Sequence, residues 1–232
     1  MSGGSPASGT LPEPQVRAMF DRIAGIYDRM NGVMTAGMHH RWRERAVDLA
    51  QVGPGDRALD VATGTGDLAV ELASRGASVT GLDFSAGMLE LARQKAPQIE
   101  WAQGNALELA YEEGTFDAVT VGFGARNFSD LDRGLSEMVR VARPGGRVVI
   151  LEITTPERPP LSWFFRLWFD RAIPALGRMA DSEAYTYLPS SVRRFPRARE
   201  LGAQMAEAGL QDVRWLLTAG GIIAIHVGTR RP

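Results

Sequence analysis

Residues 60–67 read Asp-Val-Ala-Thr-Gly-Thr-Gly-Asp, two carboxylates bracketing a glycine turn. Gly64-Thr65-Gly66-Asp67-Leu68-Ala69 fits the G-x-G-x-x-A spacing with which a strand-to-helix turn approaches a nucleotide. Asp83 follows at a strand end, placed for ribose hydroxyls. Glycine spacing alone suits a dinucleotide and S-adenosylmethionine equally. Charge separates them. A pyrophosphate needs free N–H groups at the helix N-terminus and no competing anion. Asp60 and Asp67 repel a phosphate and favour the ammonium and sulfonium of S-adenosylmethionine. Gly64 and Gly66 are expected to let the backbone approach that ligand closely. The plainer alternative is that Asp67 caps the helix and the glycines only turn the chain.

Further ligand positions follow from the elements that must carry the loop. Strand-like segments fall at 57–62, 78–83, 98–103, 116–121 and 147–153, and helix-like ones at about 66–75, 85–96 and 131–142. Such alternation predicts a parallel sheet covered by helices on both faces. Two helices precede it, at 15–30 and 38–51. After Glu152 the pattern changes to an aromatic helix at 160–178, a helix at 197–208, and strands at 211–218 and 221–229 around Ala219-Gly220-Gly221. This pattern is the one expected of an α/β, Rossmann-like class I methyltransferase: a seven-stranded, mostly parallel sheet in the order 3-2-1-4-5-7-6. Ligands in such sheets bind at the carboxyl ends of the strands. Asn105 and Ala106, after the third strand, are placed to read adenine. Gly122, after the fourth, is placed to line the methionine side.

The bulk composition sets limits. The 232 residues are 44% hydrophobic and 23% charged, with net charge −1 and no cysteine. That excludes a disulfide framework, a thiolate nucleophile and a general nucleic-acid binder. Three histidines and no carboxylate cluster at ligand spacing give no metal site. Residues 1–14 are rich in Gly, Ser and Pro and are expected to be a disordered tail without a secretory signal. The expected organisation is one methyltransferase domain over 15–232. Residues 15–51 supply lid helices and 154–195 a substrate-side insertion. The expected location is the cytoplasm.

Three segments resemble the C-methyltransferases of menaquinone and ubiquinone biosynthesis. They are Tyr27-Asp-Arg-Met-Asn31 with Thr35, His39 and Trp42; Leu59 to Asp67; and Phe123-Gly-Ala-Arg-Asn127 with Arg140-Val-Ala-Arg-Pro-Gly-Gly146. Thr35 stands where the family pattern has Ser, and Ala142 and Arg143 stand where it has a larger aliphatic residue and Lys. Ala184 to Leu188 and Leu217 to Gly221 are also similar to the family. The resemblance implies methyl transfer to a ring carbon of a prenylated hydroquinone, with Thr63, Asp83, Asn105, Ala106 and Gly122 as cofactor contacts. Naphthoquinol, benzoquinol or another small acceptor all remain open, with the menaquinone pathway favoured.

A ring carbon is a weak nucleophile until its neighbouring phenol, with a pKa of about 10, loses a proton. The site therefore needs a base, a cation, or both. Arg126 is expected to stabilise the phenolate with Asn127 as orienting partner. The alternative for Arg126 is a surface residue paired with Asp130 or Asp132. His39 is the natural general base, unless it only packs or caps its helix. Tyr27 and Asp28 are candidates for the lid. Trp163 to Phe169, with Arg166, Arg171 and Arg178, suggest a mouth resting on a membrane surface, or else an aromatic core or a dimer contact. The cluster Arg193, Arg194, Arg197 and Arg199 suits phosphate headgroups or a solvated face.

Overall fold

The computed structural model describes residues 13–35, 37–157, 159, 161–167 and 183–232. Two helices come first, α1 (Glu13–Thr35) and α2 (His39–Ala50). Then β1 (Arg57–Val61), α3 (Asp67–Ser74), β2 (Ser78–Asp83), α4 (Ala86–Lys95), β3 (Glu100–Gln103), β4 (Phe116–Gly122), α5 (Leu131–Val141) and β5 (Ala142–Ile153) alternate. They are followed by α6 (Leu161–Leu167), α7 (Glu183–Arg194), α8 (Ala198–Glu207), β6 (Leu210–Thr218) and β7 (Ile223–Arg230). The seven-stranded sheet has the order β3-β2-β1-β4-β5-β7-β6 anticipated from the sequence. Its first five strands are parallel, and β7 is antiparallel to both β5 and β6.

Alternate strand residues feed two cores, as a sheet covered on both faces requires. Ala58, Val149 and Leu151 face one side, where Trp42, Ala46 and Val47 of α2 and Leu68 and Leu72 of α3 meet them. Leu59, Val61, Val148 and Ile150 face the other, against Leu135 and Met138 of α5 and Leu201 and Met205 of α8. Of the two N-terminal helices, α2 is thus built into the core. The contacts of α1 lie elsewhere: Val16 and Met19 cluster with Tyr187, Phe20 and Phe84. Asp21 joins α1 to the start of α4, accepting from Ser85 Oγ at 2.5 Å and the Gly87 amide at 3.2 Å.

Three boundaries and one helix depart from expectation. The helix α1 runs on to Thr35. The strand β3 starts at Glu100, because Ala96 to Ile99 is occupied by a turn closed from the Ile99 amide to the Ala96 carbonyl. The strand β5 starts early, at Ala142, which pairs with Phe116 before an irregularity resets the register at Arg147. Helix α7 lies within 154–195, expected only as an insertion, and carries Pro189 inside it. The expected tail lies outside the described residues up to 12. So do the parts of the aromatic helix beyond Leu167, including Trp168, Phe169, Arg171 and Arg178.

Candidate active site

The C-terminal ends of β1, β2 and β4 open into one cleft. Its walls include Asp60, Thr63, Gly64, Asp83, Asn105, Ala106, Gly122 and Asn127. Eight of the eleven residues anticipated for the site are therefore brought together; Gly66, His39 and Arg126 are not in the wall. Two residues just past the strand ends, Ala62 and Phe123, hold φ of 51° and 59°, a conformation that non-glycine residues adopt at a cost. Both line the cleft. Gly124 explains part of the geometry, since a Cβ there would sit 2.6 Å from the Ala62 Cβ.

Asp60 is buried and accepts from Thr63 Oγ1 at 2.5 Å and Thr120 Oγ1 at 2.7 Å. Burial pushes its carboxyl up to about 6, against the pull of those two hydroxyls and of Arg43. Asp83 accepts from the Ser85 amide at 2.9 Å and the Gly64 amide at 2.8 Å, and burial likewise raises it to about 6. The Thr63 amide donates to the Leu82 carbonyl at 2.9 Å, so the loop after β1 is pinned to the end of β2. Asn105 Oδ1 accepts from the Leu107 amide at 2.9 Å, which sets the loop after β3.

Three expectations change. Asp67 does line the cleft, but its charge is taken up by Arg43 at 3.0 Å and Lys95 at 2.6 Å. Burial alone would raise its carboxyl; those two cations hold it below the usual carboxylate range. Asp60 is thus the less compensated of the two acids meant to attract a cation. Gly66 has a packing reason of its own: a Cβ there would collide with the Trp101 ring, and its φ of 85° starts α3. Gly64, at φ 57° with open space around it, is the one of these two loop glycines that lines the cleft.

Arg126 does not line the cleft. Its Nη1 donates to Glu152 Oε1 at 2.7 Å and to the Phe123 carbonyl, and the pair is buried. Its partner is Glu152, not Asp130 or Asp132, because the backbone turn at 125–127 directs it beneath the end of β5. Asn127 instead enters the cleft, and its Oδ1 is buried with no hydrogen-bond partner among the described residues. His39 is buried, with Nδ1 2.6 Å from Thr35 Oγ1 and its ring 4.0 Å from that of His40. It stands one helical turn before Arg43 on the same face of α2, and its charge reaches Asp67. The side chains of Tyr27 and Asp28 lie outside the described residues.

Sequence reasoning missed Arg43 and the apolar walls, among them Phe20, Phe84, Met88, Leu107 and Phe128. Arg43 carried one usable signal, its position four residues after His39. The walls carried none, since aromatic residues in a helix or after a strand read equally as core. The donor set suits S-adenosylmethionine: a buried carboxylate for a cation, a second held by two amides for a diol, and apolar walls for a purine. Among the described residues no group of three or more His, Cys, Asp or Glu stands ready to hold a metal.

Comparison with known proteins agrees. The profile of the ubiE/COQ5 methyltransferase family matches residues 9–230. The chain belongs to this family. It is 46% identical over 220 residues to the demethylmenaquinone methyltransferase of Thermus thermophilus, covering 91% of this chain and all of that one. In fold it resembles a methyltransferase of Thermotoga maritima described as a possible histamine N-methyltransferase, with TM-score 0.67 at 19% identity, over 92% of this chain and 99% of that one. It also resembles phosphoethanolamine N-methyltransferase 2 of Haemonchus contortus bound to S-adenosyl-L-methionine, with TM-score 0.62 at 16% identity, over 80% and 51% of the chains. The methyltransferase uses S-adenosylmethionine as its methyl donor.

Proposed function

We propose that this methyltransferase methylates a ring carbon of a prenylated hydroquinone, converting demethylmenaquinol to menaquinol. The observation that carries the acceptor is the end-to-end likeness to the Thermus thermophilus enzyme of that name. The cleft supports it, since Phe20, Phe84, Phe123 and Phe128 offer apolar faces to a flat ring.

S-adenosylmethionine, when bound, supplies a methyl group already activated by its sulfonium. The protein aligns the acceptor carbon at roughly 3–3.5 Å from that methyl and keeps water out. Asp83, with two amides fixing it, offers its remaining lone pairs to the ribose diol. Asn105 and Ala106 face adenine; Thr63, Gly64 and Gly122 line the methionine side, and Asp60 supplies negative charge there. The ring carbon gains a methyl and loses its proton, and its hydroxyl must first give up a proton to become a strong donor. Asn127 Oδ1, an unpaired acceptor in the cleft wall, takes a hydrogen bond from the hydroquinone's other hydroxyl, the one that stays protonated, and so orients the ring. Arg126, neutralised by Glu152, holds the Phe123 carbonyl and so the turn that presents Asn127. His39, outside the cleft wall but one helical turn from Arg43, is the proposed proton acceptor, its ring oriented by Thr35.

In this reading 15–232 is one methyltransferase domain behind the tail 1–14. Of the N-terminal lid segment 15–51, α1 is the part that closes over the cofactor and α2 the part that anchors it. Residues 154–195 cover the substrate side. Trp163 and Leu167, 67% and 56% exposed on α6, rest against the inner face of the cell membrane, from which the tailed substrate is drawn. No described helix is long and apolar enough to cross it. The test is transfer of labelled methyl to demethylmenaquinol in liposomes, with demethylated benzoquinol as a parallel acceptor. Label in menaquinol and protein floating with the liposomes are expected. No label in menaquinol overturns the acceptor, and protein left wholly in solution with substrate present overturns the membrane contact.

A further inference from the structure

The charges at the start of α3 do not cancel. Asp67 is held by two cations, Arg43 and Lys95, which leaves one positive charge in that group of three. Lys95 approaches from α4, donating to Thr65 Oγ1 at 3.3 Å as well as to Asp67. Arg43 approaches from α2 and itself lines the cleft. Its residue is 8% exposed. Nη2 meets Asp67 at 3.0 Å, but Nη1 is buried and has no hydrogen-bond partner among the described residues. A buried guanidinium N–H left unpaired carries its full desolvation penalty, so it calls for an acceptor. The charge of Arg43 also reaches Asp60, the buried acid of the same cleft.

We infer that Arg43 anchors the carboxylate at the methionyl end of the cofactor, donating from Nη1 while Asp67 holds Nη2 in place. This deepens the cofactor placement proposed above and rests on it. The methionyl end is a zwitterion, and the cleft then offers both complements, Asp60 for the ammonium and Arg43 for the carboxylate. A phosphate is a poorer occupant of the same nitrogen, because Asp60, Asp67 and Asp83 all line the cleft and repel a second negative charge. A monocarboxylate carries only the charge that the group leaves unbalanced. The anchor sits on α2, which is packed into the core, so it is rigid before the ligand arrives.

Calorimetric binding of two ligands to the full chain tests the assignment. S-adenosylhomocysteine has the amino and carboxylate groups; 5′-methylthioadenosine keeps the nucleoside and sulfur but lacks both. In Arg43→Met, S-adenosylhomocysteine is expected to bind about 10- to 100-fold more weakly, the scale of one charge-assisted hydrogen bond. Methylthioadenosine is expected to bind as in wild type, which also shows that the variant is folded. Arg43→Lys is expected to recover part of the loss. Unchanged binding of S-adenosylhomocysteine in Arg43→Met overturns the anchor. Equal weakening of both ligands in both variants overturns it too, since Arg43 would then act only through the fold of the loop. Wild-type protein that binds neither ligand would instead remove the cofactor placement on which the anchor depends.

Discussion

Asp60 and Asp83 spend their burial in a way that pH can read. Each is raised to about 6 in the fold from a usual value near 3.8. A carboxyl raised by folding binds more protons in the native state. Its contribution to stability is therefore full at low pH and lost as pH rises through 6. For Asp60 the loss is about 2–3 kcal/mol, from a shift of roughly two units at 1.36 kcal/mol each. Asp60→Asn cannot ionise, so we expect the ligand-free variant to gain stability over wild type between pH 4.5 and 7.5. Urea unfolding of both proteins across that range measures the gap; a gap that stays constant refutes the buried-acid argument. Binding of the cationic donor is expected to run the opposite way in wild type, weakening below pH 6 as Asp60 becomes neutral. Sequence made the two acids of the loop look alike, because spacing gives a residue's position but not its partners. Lys95 is 28 residues from Asp67, and Arg43 is on another helix; no local pattern couples them. The partner of Arg126 was hidden for the same reason, since Glu152 comes from a distant strand.

Elements were far more legible than side chains. Apolar strands alternating with amphipathic helices point to a covered parallel sheet, and the glycines at 220 and 221 to a closing hairpin; the strand order came from the methyltransferase fold that this pattern resembles. What periodicity cannot supply is contact across strands. Gly81 and Trp101 are register partners on β2 and β3, and a Cβ on Gly81 would enter the Trp101 ring. The same indole covers Gly66 and donates from Nε1 to the Ala96 carbonyl at 3.0 Å. Gly81→Ala is expected to destabilise by about 1–3 kcal/mol, as overpacking does. Adding Trp101→Leu should return part of the lost melting temperature; no recovery would mean that the strain lies elsewhere. The helix α1 has its own fastening. Ser85 caps α4 by accepting from the Met88 amide at 3.1 Å, and Asp21 accepts from that same hydroxyl. Asp21→Ala is expected to cost about 1 kcal/mol, the usual scale of a lost cap. Amide exchange across α1 should quicken while that of β1 and β4 stays slow. Equal exchange in variant and wild type would show that α1 is held by its apolar contacts alone.

Taken whole, the molecule opens its cleft where the two cores meet the strand ends, so occupancy of the proposed site should be felt globally. A ligand bound only by the folded state stabilises it by about 2.7 kcal/mol at a hundred times its dissociation constant. S-adenosylhomocysteine is expected to raise the melting temperature, and NADH is not, because the acids of the cleft reject a pyrophosphate. Stabilisation by NADH alone would reverse the choice of cofactor. The chain has a single lysine, Lys95, among 232 residues, and it touches Asp67 directly behind Arg43. Its side chain is one-third exposed, which leaves it within reach of a small reagent. Reductive methylation with a carbon-13 label would thus give one lysine resonance for the entire protein, on a side chain that pairs with two residues of the cleft wall, Thr65 and Asp67. That signal would make the fold its own spectroscopic indicator, moving when the carboxylate site fills.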